Sequence, residues 1–518
     1  MPHGHALNLP TAIGCHSFIE SDPRKGRHRN LSSSTPFGGA AGAQAPSESR
    51  RRGEPRQGGS ASRFAEFRRA LGPERLLVLS FAGLILLGTL GFRVLPGLYV
   101  GEPLSWLDAL FTATSAVCVT GLIVVDTATY FTPFGMAYVA LLIQIGGLGI
   151  ITFTTLLMIA LGQRLSLHHE AVSASGAEVA PDVDFRELVR NIVRFTLALE
   201  ALGALVLFIT WLPSLGPTAA WHAVFHAISA FCNAGFSTFS TNVVGFQTSS
   251  VTLGVIMALI VLGGLGFLVM EEVHLAWKGR GRGKRLRLSL HSQLVLGTTA
   301  IVLLVGWITC AALEWENTLA GLGVWDRLTN ALFLSVTPRT AGYNSIDYAA
   351  AADSTNFVTI LLMSIGGSPG STAGGLKTTT VAAVGLLAFA RLRGGHLAHA
   401  RGRTIPHETI QRAVGLFAVT FGIVTAGILV LAVTQLEPGA AAGSPGFLHY
   451  MFEAVSAFNT VGLSMGTTDD LDAAGKWVII LLMYIGRVGP LALAAAISLS
   501  RPNVDRDFRY AYEDVLIG

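Results

Sequence analysis

The sequence predicts an all-α membrane protein in which eight transmembrane helices form four related repeats, each with a short re-entrant helix between its two spans. Three observations predict it. Apolar runs of about 20 residues, the length that crosses a bilayer core, recur along the chain. Amphipathic pieces of about a dozen residues, about 18 Å of helix at 1.5 Å per residue and too short to cross, lie between them. Each of those pieces runs into a similar turn that ends in glycine.

Composition sets the class. Of 518 residues, 51% are hydrophobic and 13% charged; a soluble domain carries about 25% charged residues. Residues 1–72 depart from this pattern, being rich in Ser, Gly, Pro and Arg, and are expected to form a disordered cytoplasmic tail. The tail has no apolar core like that of a signal peptide, so the first span is expected to remain as an anchor. Cys15, Cys118, Cys232 and Cys310 lie far apart with no CxxC spacing, which supports neither a disulfide framework nor a zinc site.

The long apolar segments start near Leu76, Met136, Ile192, Val251, Leu294, Phe357, Ala413 and Trp477. The short pieces are Leu104–Val117, Trp221–Phe231, Trp325–Val336 and Leu448–Phe458. Basic residues crowd two loops: Lys278, Arg280, Arg282, Lys284, Arg285 and Arg287 between spans four and five, then Arg391, Arg393, Arg401 and Arg403 between spans six and seven. The opposite loops carry Glu102, Asp126, Glu314, Glu316, Asp353, Glu437, Asp469, Asp470 and Asp472. The positive-inside rule then puts both termini in the cytoplasm, and all four short helices enter from outside.

The four turns read SAVCVTGL (Ser115–Leu122), SAFCNAGFS (Ser229–Ser237), SVTPRTAGY (Ser335–Tyr343) and SAFNTVGLS (Ser456–Ser464). Each begins with Ser and reaches a glycine followed by a bulky residue: Gly121, Gly235, Gly342 and Gly462. A second glycine cluster follows each turn, at Ile145–Gly149, Leu262–Gly266, Ile365–Gly370 and Ile485–Gly489. Such clusters either belong to the site or let membrane helices pack closely; their sequence leaves both open. The turns are more specific. A dehydrated monovalent cation needs several weak oxygen ligands, and backbone carbonyls supply them without burying a full charge. Aiming successive carbonyls at one axis strains the chain, and Gly visits positive φ freely. The short helices' C-terminal ends add partial negative charge. Four such units, each reading span–pore helix–filter–span, make a cation filter.

At these residues the chain resembles the Trk/Ktr/HKT superfamily of potassium transporters, and most the bacterial Ktr-type membrane subunit. VCVTGL, CNAGFS, RTAGYNSID and FNTVGLSMG carry the resemblance, which covers the chain from about residue 76 onward. Trk-type subunits have an extra pair of N-terminal spans, whereas the segment before Leu76 is polar. Tyr343 stands where Phe is common. The resemblance implies that Val119, Thr120 and Gly121, Asn233, Ala234 and Gly235, Thr340, Ala341 and Gly342, and Thr460, Val461 and Gly462 line the filter and bind potassium in transit. It implies a homodimer in the bacterial cell membrane with a cytosolic ring of nucleotide-binding, RCK-type regulatory subunits, and no nucleic acid. No organic cofactor is expected, and with no phosphate-binding glycine motif in this chain, nucleotide control falls to the partner. One glycine per turn, in four unlike turns, suggests weaker rejection of sodium than in tetrameric potassium channels.

Two features interrupt the apolar pattern. Gly366–Thr380 (GGSPGSTAGGLKTTT) breaks the sixth span; the resemblance implies a gating loop under the filter containing Gly370, Ser371, Thr372, Gly374, Gly375 and Lys377, while the simpler reading is a packing kink. Arg487 lies mid-span in the eighth segment, where a charge needs a cavity or partner. It is either a barrier in the pore, as the resemblance implies, or a paired charge with Glu200 or Glu453 as partner. An enzyme is disfavoured, because the 14 histidines are scattered and no HExxH or carboxylate pair at ligand spacing occurs. A scaffold or receptor would not need four such turns. The rival within transport is a sodium-preferring or weakly selective cation channel of the same fold.

Overall fold

The computed structural model describes residues 73–160, 185–280, 287–395, 397–435 and 445–497. The tails expected at 1–72 and 501–518, and Cys15, Arg282, Lys284, Arg285 and Glu437, lie outside the described residues. The architecture is helical, with one two-stranded hairpin.

In chain order the helices are α1 (Pro73–Val94), α2 (Trp106–Val117), α3 (Thr127–Tyr130), α4 (Pro133–Ala160), α5 (Phe185–Leu215) and α6 (Ala219–Phe231). Then come α7 (Ser250–Leu265), α8 (Phe267–Arg280), α9 (Leu290–Glu314), α10 (Val324–Val336), α11 (Asp353–Met363) and α12 (Thr378–Leu392). The hairpin β1 (His399–Ala400) and β2 (Arg403–Thr404) precedes α13 (His407–Gln435), α14 (Phe447–Phe458), α15 (Ala473–Val488) and α16 (Pro490–Ile497). Side-chain caps start several of them: Ser105, Ser249, Ser289 and Asp472 each accept a backbone N–H from the first turn that follows.

Five helical stretches among the described residues are long and apolar enough to cross a membrane, and α7 with α8 makes a sixth, bent by 102°. The segments expected near Phe357 and Trp477 are broken. α11 ends at Met363 and helix resumes only at Thr378. α15 stops at Gly489, with φ +93°, just before Pro490. The bend between α7 and α8 falls at Gly266, with φ +83°. So the last glycine of the second and fourth clusters ends a helix, whereas α4 runs straight through Gly149.

The first clusters' other glycines explain the close packing. A Cβ at Gly146, Gly263 or Gly486 would overlap the backbone carbonyl of Val117, Phe231 or Phe458 respectively. Each carbonyl belongs to the last residue of a short helix, α2, α6 or α14, so the bare glycine lets α4, α7 or α15 rest on that end. Close packing is what these positions require.

Candidate functional site

Helices α2, α6 and α14 end alike. In each, the residue two beyond the helix is left-handed: Val119 at φ +56°, Asn233 at +60° and Thr460 at +50°. The next N–H then turns back to a serine carbonyl: Thr120 to Ser115 at 2.8 Å, Ala234 to Ser229 at 2.7 Å and Val461 to Ser456 at 2.8 Å. With Val119, Asn233 and Thr460 donating to Ala116, Ala230 and Ala457, this is the Schellman closure of a helix end. That position usually takes Gly. Here two of the three residues are β-branched, at a cost of about 1–3 kcal/mol each.

The third turn has one residue more between its serine and its glycine, and Pro338 within it has no N–H to donate. Ala341 therefore bonds to the Thr337 carbonyl at 3.0 Å, and Thr340 takes the left-handed place at φ +67°. In all four turns a residue of ordinary handedness follows (Thr120, Ala234, Ala341, Val461), then the glycine at φ +95°, +70°, +74° and +91°. Alternating handedness undoes the usual alternation of an extended strand and presents successive carbonyls on one side.

The four turns meet in a closed ring. A Cβ on Gly121 would overlap the Ala234 carbonyl oxygen, one on Gly342 that of Val461, and one on Gly462 that of Thr120. One on Gly235 would lie 2.9 Å from the Ala341 oxygen. Each glycine thus faces the carbonyl of the next turn, and the fourth closes on the first. Thr120, Ala234, Ala341 and Val461 are buried, as are Val119, Asn233, Thr340 and Thr460. The hydroxyls of Ser115 and Ser456 accept from the N–H of Gly121 and Gly462, both at 3.1 Å.

On one side of the ring opens a cavity of about 500 Å³ lined by all four glycines. Asp126, Asp347 and Asp469 line it, and no Lys or Arg does. On the other side lies the segment between Met363 and Thr378. It is held by helix ends, not by lipid. At the end of α7 the last carbonyls have no helical partner. Ser368 N–H donates to Gly264 O at 2.9 Å, Thr372 N–H to Gly263 O at 3.3 Å, and Ser368 Oγ to Leu265 O. Phe267 N–H in turn donates to Gly370 O at 3.2 Å, across the Gly266 bend. Gly374 and Gly375 sit so tightly under the fourth turn that a Cβ would strike Thr460 or Asn459. Ser371 Oγ donates to Ser368 O at 2.6 Å and accepts from Ala373 N–H at 3.2 Å. A chain segment this long and this bonded is more than a kink.

Arg487 is 4% exposed and donates to Thr372 O through Nη1 and to Gly146 O at 3.4 Å through Nη2. Neither acid considered as its partner serves it. Glu200 accepts from Gln144 at 3.1 Å, and Glu453 is occupied by hydroxyls and a backbone N–H of the segment after Gly462. Lys377 donates to Ala373 O at 2.6 Å. Two cations therefore hold two adjacent carbonyls of one segment. Sequence reasoning passed over a third, Arg339 in the third turn, which is also buried and donates to Gly366 O at 3.2 Å and Thr299 O at 3.4 Å. Its signal was available, as a lone arginine inside an apolar turn.

The family model for TrkH, described as a cation transport protein, matches residues 89–506. The chain is 38% identical over 454 residues to the potassium/sodium uptake protein NtpJ of Enterococcus hirae, covering 87% of this chain and 98% of that protein. It is 37% identical over 450 residues to the Ktr system potassium uptake protein B of Bacillus subtilis, covering 86% and 97%. The crystal structure of the potassium transporter TrkH from Vibrio parahaemolyticus has the same fold, with a TM-score of 0.66 over 81% of this chain and 83% of that one at 19% identity. A ring of four glycine turns carried on short helices, and a family match over most of the chain, lead to one assignment: the chain belongs to the Trk/Ktr family of cation transport proteins.

Proposed function

We propose that the chain is the ion-conducting membrane subunit of a bacterial potassium uptake system, with the ring of four turns as its selectivity filter. The closed ring supports this reading: the carbonyls of Thr120, Ala234, Ala341 and Val461 each meet the glycine of a neighbouring turn, and short-helix C-terminal ends stand behind them. The carboxylate-lined cavity on one side concentrates cations before the ring. Four repeats, about 76–161, 190–272, 292–390 and 412–500, each supply a span, a pore helix, a filter turn and a second span, giving eight membrane crossings. Broken helices are tolerated at membrane depth where protein covers them, and the break at Gly266 and the Met363–Thr378 segment pack against and bond to each other. Both termini, the tail 1–72 and the segment 501–518 are cytoplasmic in this reading. The Met363–Thr378 segment is the gate, and Arg487 is the barrier cation that holds it.

Transport by the full chain in a potassium-uptake-deficient bacterium tests the proposal. Growth at low potassium should be restored, and a tenfold excess of sodium should compete weakly with potassium or rubidium influx. Equal competition by sodium would favour a weakly selective channel, the reading suggested by one glycine per turn and by the relative named for potassium and sodium.

The relatives named as Ktr system proteins support a working complex: a homodimer of this subunit on a cytosolic ring of RCK-type, nucleotide-binding subunits. The β1–β2 hairpin exposes Arg401 and Arg403, a basic projection suited to such a partner. Replacing both by Gln should weaken capture of the co-expressed regulatory subunit while leaving the purified protein dimeric. Unchanged capture would move the docking surface elsewhere and leave the pore reading intact.

A further inference from the structure

Behind three of the four turns stands a buried polar side chain at the same place, and in two of them it bonds to the chain that leaves the turn. Counting back three residues from the serine that opens each motif gives Thr112, His226, Leu332 and Glu453. Glu453 is 0% exposed. Its carboxylate accepts from Ser464 Oγ at 2.5 Å, Met465 N–H at 3.2 Å, Thr467 Oγ at 3.1 Å and Thr468 Oγ at 2.7 Å. All four donors follow Gly462, and Ser464 and Thr468 line the carboxylate-walled cavity. His226 is also 0% exposed. Its Nδ1 lies 2.7 Å from the His222 carbonyl, which only accepts, so Nδ1 carries the proton. Nε2 is then free to accept from Ser237 Oγ at 3.0 Å, and Ser237 Oγ itself accepts from Phe239 N–H at 3.0 Å.

Ser237 and Ser464 each stand two residues after the ring glycine of their turn. The other two turns have no such brace. Ile123 and Asn344 occupy the matching places, Leu332 has no polar group, and the buried Thr112 hydroxyl has no partner. In the ring the second turn neighbours the first and third, so the two braced turns face each other across the axis.

We propose that Glu453 and His226 are positioning residues that fix opposite corners of the ring from behind and thereby set its ion preference, an inference that rests on the filter reading. Neither touches the ion. Glu453 ties the outer end of the fourth turn to its own short helix through an anionic acceptor that takes four bonds, three of them on Oε1, and bonds to a charged group are the strong ones. His226 does the same for the second turn with a single bond. Discrimination between potassium and sodium depends on where the ring carbonyls are held, so loosening a brace should erode preference before it erodes flux.

The test uses the full chain in the potassium-uptake-deficient bacterium, reading potassium against sodium competition together with the amount and melting of folded protein in detergent. Glu453→Gln keeps an oxygen for the Ser464, Met465 and Thr467 donors but removes the negative charge that strengthens those bonds. It should lower the potassium-to-sodium preference by about tenfold or more, as the loss of one charge-assisted bond would. Ser464→Ala and Ser237→Ala should act in the same direction with little loss of stability, and Glu453→Gln/Ser464→Ala should fall short of the product of the single effects. Glu314 supplies the control. It is an equally buried carboxylate that accepts from Asn317, Thr318, Ala352 and Thr355 but lies away from the ring. Glu314→Gln should lower melting and leave preference unmoved. Should Glu453→Gln fail to accumulate, the two serine variants decide. Wild-type preference in Ser464→Ala and Ser237→Ala overturns the bracing role. If Gly462→Ser moves preference in the same assay, the filter reading stands without the braces; if it does not, both fall.

Discussion

Gly462→Ser is expected to abolish potassium preference more completely than any other single substitution in the chain. Two costs fall on the same atom. Residue 462 sits at φ +91°, where a Cβ alone costs about 1–2 kcal/mol. That Cβ would also overlap the Thr120 carbonyl oxygen of the first turn, with the Gly121 Cα only 3.0 Å away. The neighbour is backbone, so it cannot swing aside without moving a ring carbonyl. At 1.4 kcal/mol per tenfold, potassium half-saturation should rise about tenfold or more while sodium is less affected. Gly121→Ser and Gly342→Ser should follow closely, since each would overlap a neighbouring carbonyl. Gly235→Ser should be the mildest, because its nearest backbone atoms are 2.9 Å away. Rubidium influx with graded sodium, corrected for the amount of folded protein, gives the order. Wild-type preference in all four variants would remove the ring from its role.

The second large effect is expected below the ring. Arg487→Gln, or deletion within Gly370–Gly375, should raise potassium flux without erasing preference. A unit charge about 4 Å from a passing cation costs it about 4 kcal/mol at an effective dielectric of 20. Relief of a third of that is about tenfold in rate. The segment has a second reason to stay: Arg487 and Lys377 occupy the Thr372 and Ala373 carbonyls, oxygens that would otherwise serve an ion. The deletion should also reduce the dependence of uptake on the regulatory subunit. Maximal uptake rates decide the matter. If both changes lower the rate in well-folded protein, Arg487 and the segment support structure or conduction, and gating must lie elsewhere.

The short helices were legible to within two residues at their starts and to the residue at their ends, because a serine-to-glycine motif closes each one. The interruption of the sixth span was legible from composition, as Pro369 and five glycines cannot hold a helix. The bends at Gly266 and Gly489 were not. A hydropathy pattern averages over a turn, and whether one glycine takes positive φ depends on what packs beside it: at Gly266, the Ser368–Gly370 segment arriving from far along the chain. The left-handed Val119, Thr340 and Thr460 were equally hidden, since local preference argues against β-branched residues there and helix closure overrides it. Glu453 shows the same limit. Its isolation in an apolar helix suggested an arginine partner, but its donors lie on the chain that returns past it after the turn.

Ring closure also has a consequence for how the protein is made. The first turn is completed by the last, because Thr120 packs against Gly462, and the end of α2 is covered by Gly146 of the helix that follows it. A chain emerging from the ribosome can insert its early repeats but cannot finish the first corner until the final repeat has joined. Until then the first and third turns each lack a neighbour on one side. On the filter reading, ring closure is therefore all-or-none, and a chain cut short anywhere before Gly462 should show no partial selectivity.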